Sequence, residues 1–112
     1  MTEVLFISTA SRMLGMHPQT LRKYERLGLV RPNRTVGSMR LYSSEQIDRL
    51  RLIKYMVDEL GINLAGVQHL LSVAEVVERL DLLVSDDALT RRGGRQRLSR
   101  ELQHLREILG LS

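Results

Sequence analysis

Between Met16 and Tyr42 the chain carries six Arg or Lys residues against a single acid, Glu25, and divides that charge between two differently patterned pieces. The first, Pro18-Gln19-Thr20-Leu21-Arg22-Lys23-Tyr24-Glu25-Arg26, reads as a short polar helix. His17 is its expected cap and Pro18 its first residue, where the missing N–H costs nothing. Leu21 and Leu27, with part of Tyr24, face the core, which leaves Gln19, Thr20, Arg22, Lys23 and Arg26 outside. The second piece runs from Val30 to Tyr42 and is punctuated by Pro32 and Gly37, so it reads as a turn between two short extended segments. A basic helix followed at once by a basic hairpin has one part sized for a nucleic-acid groove and another for the flanking backbone. A solvated surface helix is the plainer reading of the first piece alone; the matching hairpin behind it weighs against that reading.

Charge outside this stretch sharpens the point. Residues 1–62 hold ten basic and six acidic side chains, whereas residues 63–112 hold seven of each, so the basic excess belongs to the first half. A length of 112 residues accommodates one small domain, or a smaller one plus an oligomerisation tail, and no separate effector-binding domain is expected. Aromatics are only 4% of the chain, so Leu, Ile, Val and Met must build the core, a composition suited to helices. With no Cys there is no disulfide, thiolate metal site or thiol switch. His17, His69 and His104 are too scattered for a metal site, and no cofactor is expected. Catalysis has little support: no nucleophile elbow, glycine-rich phosphate loop or metal-ligand spacing occurs. Val4 to Ile7 is too short for a secretory signal and nothing approaches a membrane span, so the expected compartment is the cytoplasm.

Along the rest of the chain, a first helix is expected from Ser8 as cap, through Ala10, Met13 and Leu14, to a sharp turn at Gly15. Arg34 and Arg40 would line the hairpin. Tyr42 either stacks on or donates to a phosphate, or anchors the hairpin to the domain. A third helix from Ser43 or Ser44 places Ile47, Leu50, Ile53 or Lys54, and Val57 at helical spacing and stops at Gly61. Asn63 caps a fourth helix through Val67, Leu70 and Leu71, whose N-terminus offers N–H groups to a phosphate and would make Gly61 to Leu64 a minor second wing. Beyond it Leu70, Val73, Val77, Leu80 and Val84, and then Leu98, Leu102, Leu105 and Leu109, follow the alternating spacing of coiled-coil seams, each about two heptads long; runs this short more often just pack on a neighbouring helix. Two helical segments are expected on either side of a break from Ser85-Asp86-Asp87 to Gly93-Gly94, with Arg91, Arg92, Arg95 and Arg97 solvated. The fold class is therefore mainly α: a winged helix-turn-helix DNA-binding domain over residues 1–75 with a small β-hairpin wing, then C-terminal dimerisation helices over residues 76–112.

The ordered set Ile7, Ala10, Gly15, Thr20-Leu21-Arg22, Tyr24-Glu25, Gly28-Leu29, Pro32, Arg34, Gly37, Arg40 and Tyr42 resembles the MerR family of winged helix-turn-helix regulators over roughly residues 5–75. Within it, Gly15 to Arg22 and Gly61 to Val67 look most like the heat-shock repressor (HspR) branch. The resemblance implies a homodimer on an inverted-repeat operator, with Arg22, Lys23 and Tyr24 at recognition-helix positions and Arg40 and Tyr42 at wing positions. Lys23 stands where the wider family has an aromatic, and a Lys there can meet phosphate directly. The branch also implies a DnaK-type chaperone as co-repressor.

The expected function is sequence-specific DNA binding by a dimeric repressor of heat-shock or chaperone genes, acting by occlusion. The expected DNA contacts are Gln19, Thr20, Arg22, Lys23, Tyr24, Arg26, Arg34, Arg40, Tyr42 and Asn63; the expected dimer contacts are Val77, Leu80, Val84, Leu98, Leu102, Leu105 and Leu109. The alternatives are an activator that distorts promoter DNA and a small architectural or excision factor.

Overall fold

The computed structural model describes residues 4–85 and 88–111, so Asp86 and Asp87 of the expected break lie outside the described residues. The chain divides into two compact units, Met1–Ile62 and Asn63–Ser112. Helix α4 of the second unit, Leu64–Ser85, runs without interruption through the 75/76 boundary expected from sequence.

The first unit combines three helices with a three-stranded antiparallel sheet. Strand β1 (Val4–Phe6) leads directly into α1 (Ile7–Leu14); α2 (Pro18–Arg26) follows, then β2 (Asn33–Arg34), β3 (Arg40–Ser43) and α3 (Ser44–Lys54). The sheet order is β1-β3-β2, with Leu5 opposite Tyr42 and Arg34 opposite Arg40. The β2–β3 pair is the expected hairpin; β1 was not expected, because three residues are too few for a period-two pattern to stand out. Its presence also corrects the start of α1. The chain turns straight from strand into helix, so Phe6 rather than Ser8 holds the N-cap position and makes no side-chain cap bond.

At the other end of α1 the expected turn forms. Gly15 has φ +64°, a left-handed conformation open to glycine at little cost, and Lys54 donates from Nζ to the Leu14 carbonyl at 2.7 Å. His17 caps α2 as anticipated, its Nδ1 accepting from the Gln19 N–H at 3.0 Å. Leu21 is fully buried, but Leu27 is 42% exposed and so does not face the core. Helix α2 ends at Arg26 and Gly28 turns the chain at φ +76°, which sends Leu29 and Val30 inward instead.

Ser43 caps α3 through the Gln46 N–H at 3.3 Å. Ile47, Leu50 and Ile53 are buried on one face, joined by Met56, while Val57 is only half-buried. The helix widens into a π-helical turn, Tyr55–Glu59, and closes with the Ile62 N–H donating to Met56 O at 2.9 Å across Gly61. The core of this unit is thus Ala10, Leu14, Leu21, Tyr24, Leu29, Val30, Tyr42, Ile47, Leu50, Ile53 and Met56.

The second unit is a helical hairpin of α4 and α5 (Gly94–Ile108), joined by a 3₁₀ turn, Ala88–Thr90. Asn63 caps α4, its Oδ1 accepting from the Gly66 N–H at 2.8 Å. Arg79 binds Glu101 across the hairpin at 2.5 Å and approaches His104 Nδ1 at 3.2 Å. The glycine pair has a structural use beyond breaking a helix. Gly93 is left-handed at φ +80°, and Gly94 packs so closely on the 3₁₀ turn that a Cβ there would overlap the Ala88 and Leu89 carbonyls. Among the described residues no helix is long and apolar enough to cross a membrane.

Candidate nucleic-acid interface

Helix α2 presents Gln19, Lys23 and Arg26 to solvent and Arg22 half-exposed beside them. Their spacing of three or four residues keeps all four on one face, and the opposite face is anchored by the buried Leu21 and Tyr24. Thr20 is partly covered near the helix start. The outer face therefore offers one amide and three cations, donor chemistry that suits guanine and adenine edges as well as phosphates.

The wing stands next to this helix and is fastened to it by one carboxylate. Glu25 receives Arg40 Nε at 2.6 Å on Oε1. It also receives Arg34 Nη2 at 3.0 Å on Oε2 and 3.2 Å on Oε1. Arg34 reaches across the hairpin with its other nitrogen, donating to Ser38 O at 3.1 Å. Burial on its own would raise the Glu25 pKa, but the hydrogen bonds and charges of Arg40 and Arg34 outweigh it and hold the carboxyl below its ordinary value. Both arginines are thus built into the domain as well as facing its surface. Arg40 retains 23% of its side-chain exposure and Arg34 44%, so Arg34 is the more available to a phosphate.

The tip of the wing is organised by Thr35. Its N–H donates to Met39 O, its carbonyl accepts from the Ser38 N–H, and its Oγ1 accepts from the Met39 N–H. The turn leaves Val36 fully exposed. At the root of the wing Gln46 donates from Nε2 to the Arg31 carbonyl, and Arg49 Nε donates to Leu29 O at 2.5 Å.

Not every expected contact residue lies outside. Tyr24 is 6% exposed and Tyr42 fully buried, so these two rings support the face from beneath; for Tyr42 this is the anchoring arrangement. Burial raises the pKa of both phenols. Asn63 belongs to the second unit, where its side-chain oxygen is already occupied as the cap of α4. The structure brings Gln19, Arg22, Lys23 and Arg26 together on one helix face, with Arg34 and Arg40 joined to that helix through Glu25. Sequence reasoning gave Glu25 no role, although its isolation as the lone acid in a basic stretch was the available signal.

In the second unit five of the nine expected seam residues are exposed and four half-buried. Leu70, Val77 and Val84, seven residues apart, are 38%, 52% and 60% exposed, while α4 instead buries Val67, Leu71, Val76 and Leu83. Val73 and Leu80 are half-buried. On α5, Leu102 and Leu109 are largely exposed and Leu98 and Leu105 half-buried. Arg91, Arg92 and Arg95 are exposed, and Arg97 leans back toward the Ala88 carbonyl at 3.5 Å.

Comparison with known proteins accounts for this combination of elements. The family model described as MerR HTH family regulatory protein matches residues 6–74. The heat shock protein HspR of Streptomyces coelicolor is 46% identical over 79 residues, covering 70% of this chain and 52% of its own length. The mercuric resistance operon regulatory protein of Bacillus cereus is 45% identical over 62 residues, covering 54% of this chain and 46% of its own. The chain thus spans about half the length of these two relatives. The transcriptional regulator HmrR of Rhizobium leguminosarum is 33% identical over 103 residues and is matched over 79% of its length. Among solved structures, HiNmlR, a MerR family regulator lacking the sensor domain and bound to promoter DNA, superposes with a TM-score of 0.58 over 96% of this chain and 80% of its own, at 17% identity. That likeness carries the winged fold and its following helices. With a family match over more than half its length and this fold, the chain belongs to the MerR HTH family of transcription regulators, which are not enzymes.

Proposed function

We propose that this chain is a dimeric, sequence-specific transcriptional repressor of heat-shock or chaperone genes, binding an inverted-repeat operator with one α2 face and one wing per half-site. The observation that carries DNA binding is the outward face Gln19, Arg22, Lys23 and Arg26 on a helix whose inner face is buried, beside a wing bearing Arg34 and Arg40. Gln19 and Arg22 are suited to base edges, and Lys23, Arg26 and Arg34 to phosphates. The repressor assignment draws on the likeness to the heat shock protein HspR of Streptomyces coelicolor, and a DnaK-type chaperone as co-repressor is what the resemblance to that branch implies.

Dimerisation rests on the exposed heptad stripe of α4 and on Leu102 and Leu109 of α5, apolar positions that a second copy would cover. Two copies place two basic faces on one DNA, which is what an inverted repeat requires. The mechanism is occlusion of the promoter by the bound dimer.

The test is a salt-titrated binding assay with complex stoichiometry, comparing an inverted repeat from upstream of the chain's own gene or of a chaperone gene with random duplex. Two chains per site and a preference of ~10³ or more support the reading. Equal binding to both duplexes with a steep salt slope refutes it in favour of an architectural role. Arg22→Ala is expected to cost about 1–3 kcal/mol on the operator and to relax base preference at one position of each half-site. Equal losses on operator and random DNA would remove Arg22 from base reading.

A further inference from the structure

We infer that Glu25 is a positioning residue for DNA recognition: it contacts no base or phosphate itself but fastens the wing to the recognition helix, so that the two engage DNA as one rigid piece. The inference deepens the proposed function and rests on its DNA-binding reading. A carboxylate on the basic face of a DNA-binding helix repels phosphate, and by electrostatics alone affinity should improve without it. Yet Glu25 sits one position before Arg26, next to the outward face, and both of its oxygens are engaged by the wing.

The geometry makes the purpose of that carboxylate specific. Arg40 and Arg34 are cross-strand partners on β3 and β2, so a single acid on α2 holds both strands of the hairpin at once. The Arg34 guanidinium meets both carboxylate oxygens and also the Ser38 carbonyl, which leaves it little rotational freedom. Arg40 Nε is spent on Glu25, which leaves its terminal nitrogens as the donors for a phosphate. Long side chains lose rotamer freedom when they bind, and that loss is already incurred in the free protein when Glu25 holds them. Glu25 thus subtracts one unit of attraction to any DNA and adds preorganisation that matters only when helix and wing must land together on the right site.

The first effect acts on any DNA and the second, of opposite sign, only on the right site, which makes the inference testable with Glu25→Gln, a substitution that keeps shape and removes charge. The probes are a duplex selected by the wild-type protein from a randomised library and a scrambled duplex of the same composition, each titrated with salt. Selection of a preferred duplex by the wild type is the condition of the DNA-binding reading, and its failure would sink that reading before Glu25 is considered. Given selection, Glu25→Gln should bind the scrambled duplex as tightly as wild type or more so, while the ratio of selected to scrambled affinity falls about tenfold, the scale of one well-aligned charged contact. A rise on both duplexes by the same factor would overturn the inference, because Glu25 would then act only as a repelling charge. The double variant Glu25→Gln with Arg40→Gln adds a readout that does not depend on the fold staying intact to the same degree. If Glu25 works through Arg40, adding its substitution to Arg40→Gln changes the ratio far less than it does in wild type; strict additivity would refute the coupling. Glu25→Asp, which keeps the charge but is one methylene too short to span both arginines, should recover the ratio only in part. Full recovery would show that the charge alone, and not the two-armed geometry, is what the site needs.

Discussion

Replacing Gly94 with Ala pits local propensity against packing, and the structure decides the sign. Ala is favoured over Gly by about 1 kcal/mol in a helix interior and by less at the first residue of α5, where Gly94 sits. Against this, a Cβ on Gly94 would overlap the carbonyl oxygens of Ala88 and Leu89. These are backbone atoms of the 3₁₀ turn and cannot swing aside as a side-chain tip would. Overpacking of this kind costs about 1–3 kcal/mol, so the net effect is destabilising by about 1–2 kcal/mol. For a small unit each kcal/mol moves the melting temperature by about 4–8 °C, a shift well above measurement error. The assay is urea unfolding followed by far-UV circular dichroism at fixed protein concentration, so that association does not move the midpoint. A lower midpoint with an unchanged slope is expected. Gly94→Ala at or above wild-type stability would refute the close-packing argument and restore the simple view that this glycine only weakens a helix.

Three further outcomes follow from named contacts. Among the described residues the buried Tyr42 hydroxyl has no hydrogen-bond partner, so Tyr42→Phe should leave stability unchanged or raise it by up to about 1–3 kcal/mol in thermal unfolding, and a loss of that size would mean the hydroxyl has a partner. Glu25 has a lowered pKa in the folded state, so its contribution is complete above its ordinary carboxylate value and disappears as pH falls through the lower folded value; wild type should exceed Glu25→Gln by about 1 kcal/mol at neutral pH, with the two unfolding curves converging in acid. A gap that failed to shrink as pH falls below the ordinary carboxylate range would contradict the ion-pair origin. Val77 is 52% exposed in the single chain, so Val77→Glu should leave the helical hairpin folded while shifting sedimentation from dimer toward monomer; an unchanged dimer would remove the α4 stripe from the interface.

Much of the candidate site was legible from residue types and their spacing. His17 before Pro18 announces a helix start, because one side chain caps and the other needs no N–H, and the structure has that cap. Gly15 and Gly61 mark turns through their tolerance of positive φ, and both adopt it. The amphipathic spacing of α2 separates the buried Leu21 from the outward Gln19, Lys23 and Arg26. The coiled-coil spacing of Leu70, Val77 and Val84 was equally plain, and these side chains are left poorly covered in the single chain. Short-range signals of this kind survive because they depend on backbone geometry within one or two turns.

What tertiary structure decided is every feature that joins residues far apart in sequence. Strand β1 exists because β3 offers it a partner, and that pairing moved the start of α1 from the expected Ser8 to Ile7. Leu27 reads as a core residue on a helical wheel, but the turn at Gly28 hands that burial to Leu29 and Val30. The same limit applies to Glu25: its charge was visible, but its pairing with Arg34 and Arg40, nine and fifteen residues away, arises only when the hairpin folds back on α2. Composition and periodicity determine by themselves that this chain is helical, basic in its first half and broken between Ser85 and Gly94. The ion-pair clamp and the packing of Gly94 were decided by the folded chain, since burial and electrostatic pairing depend on distances that local sequence does not contain.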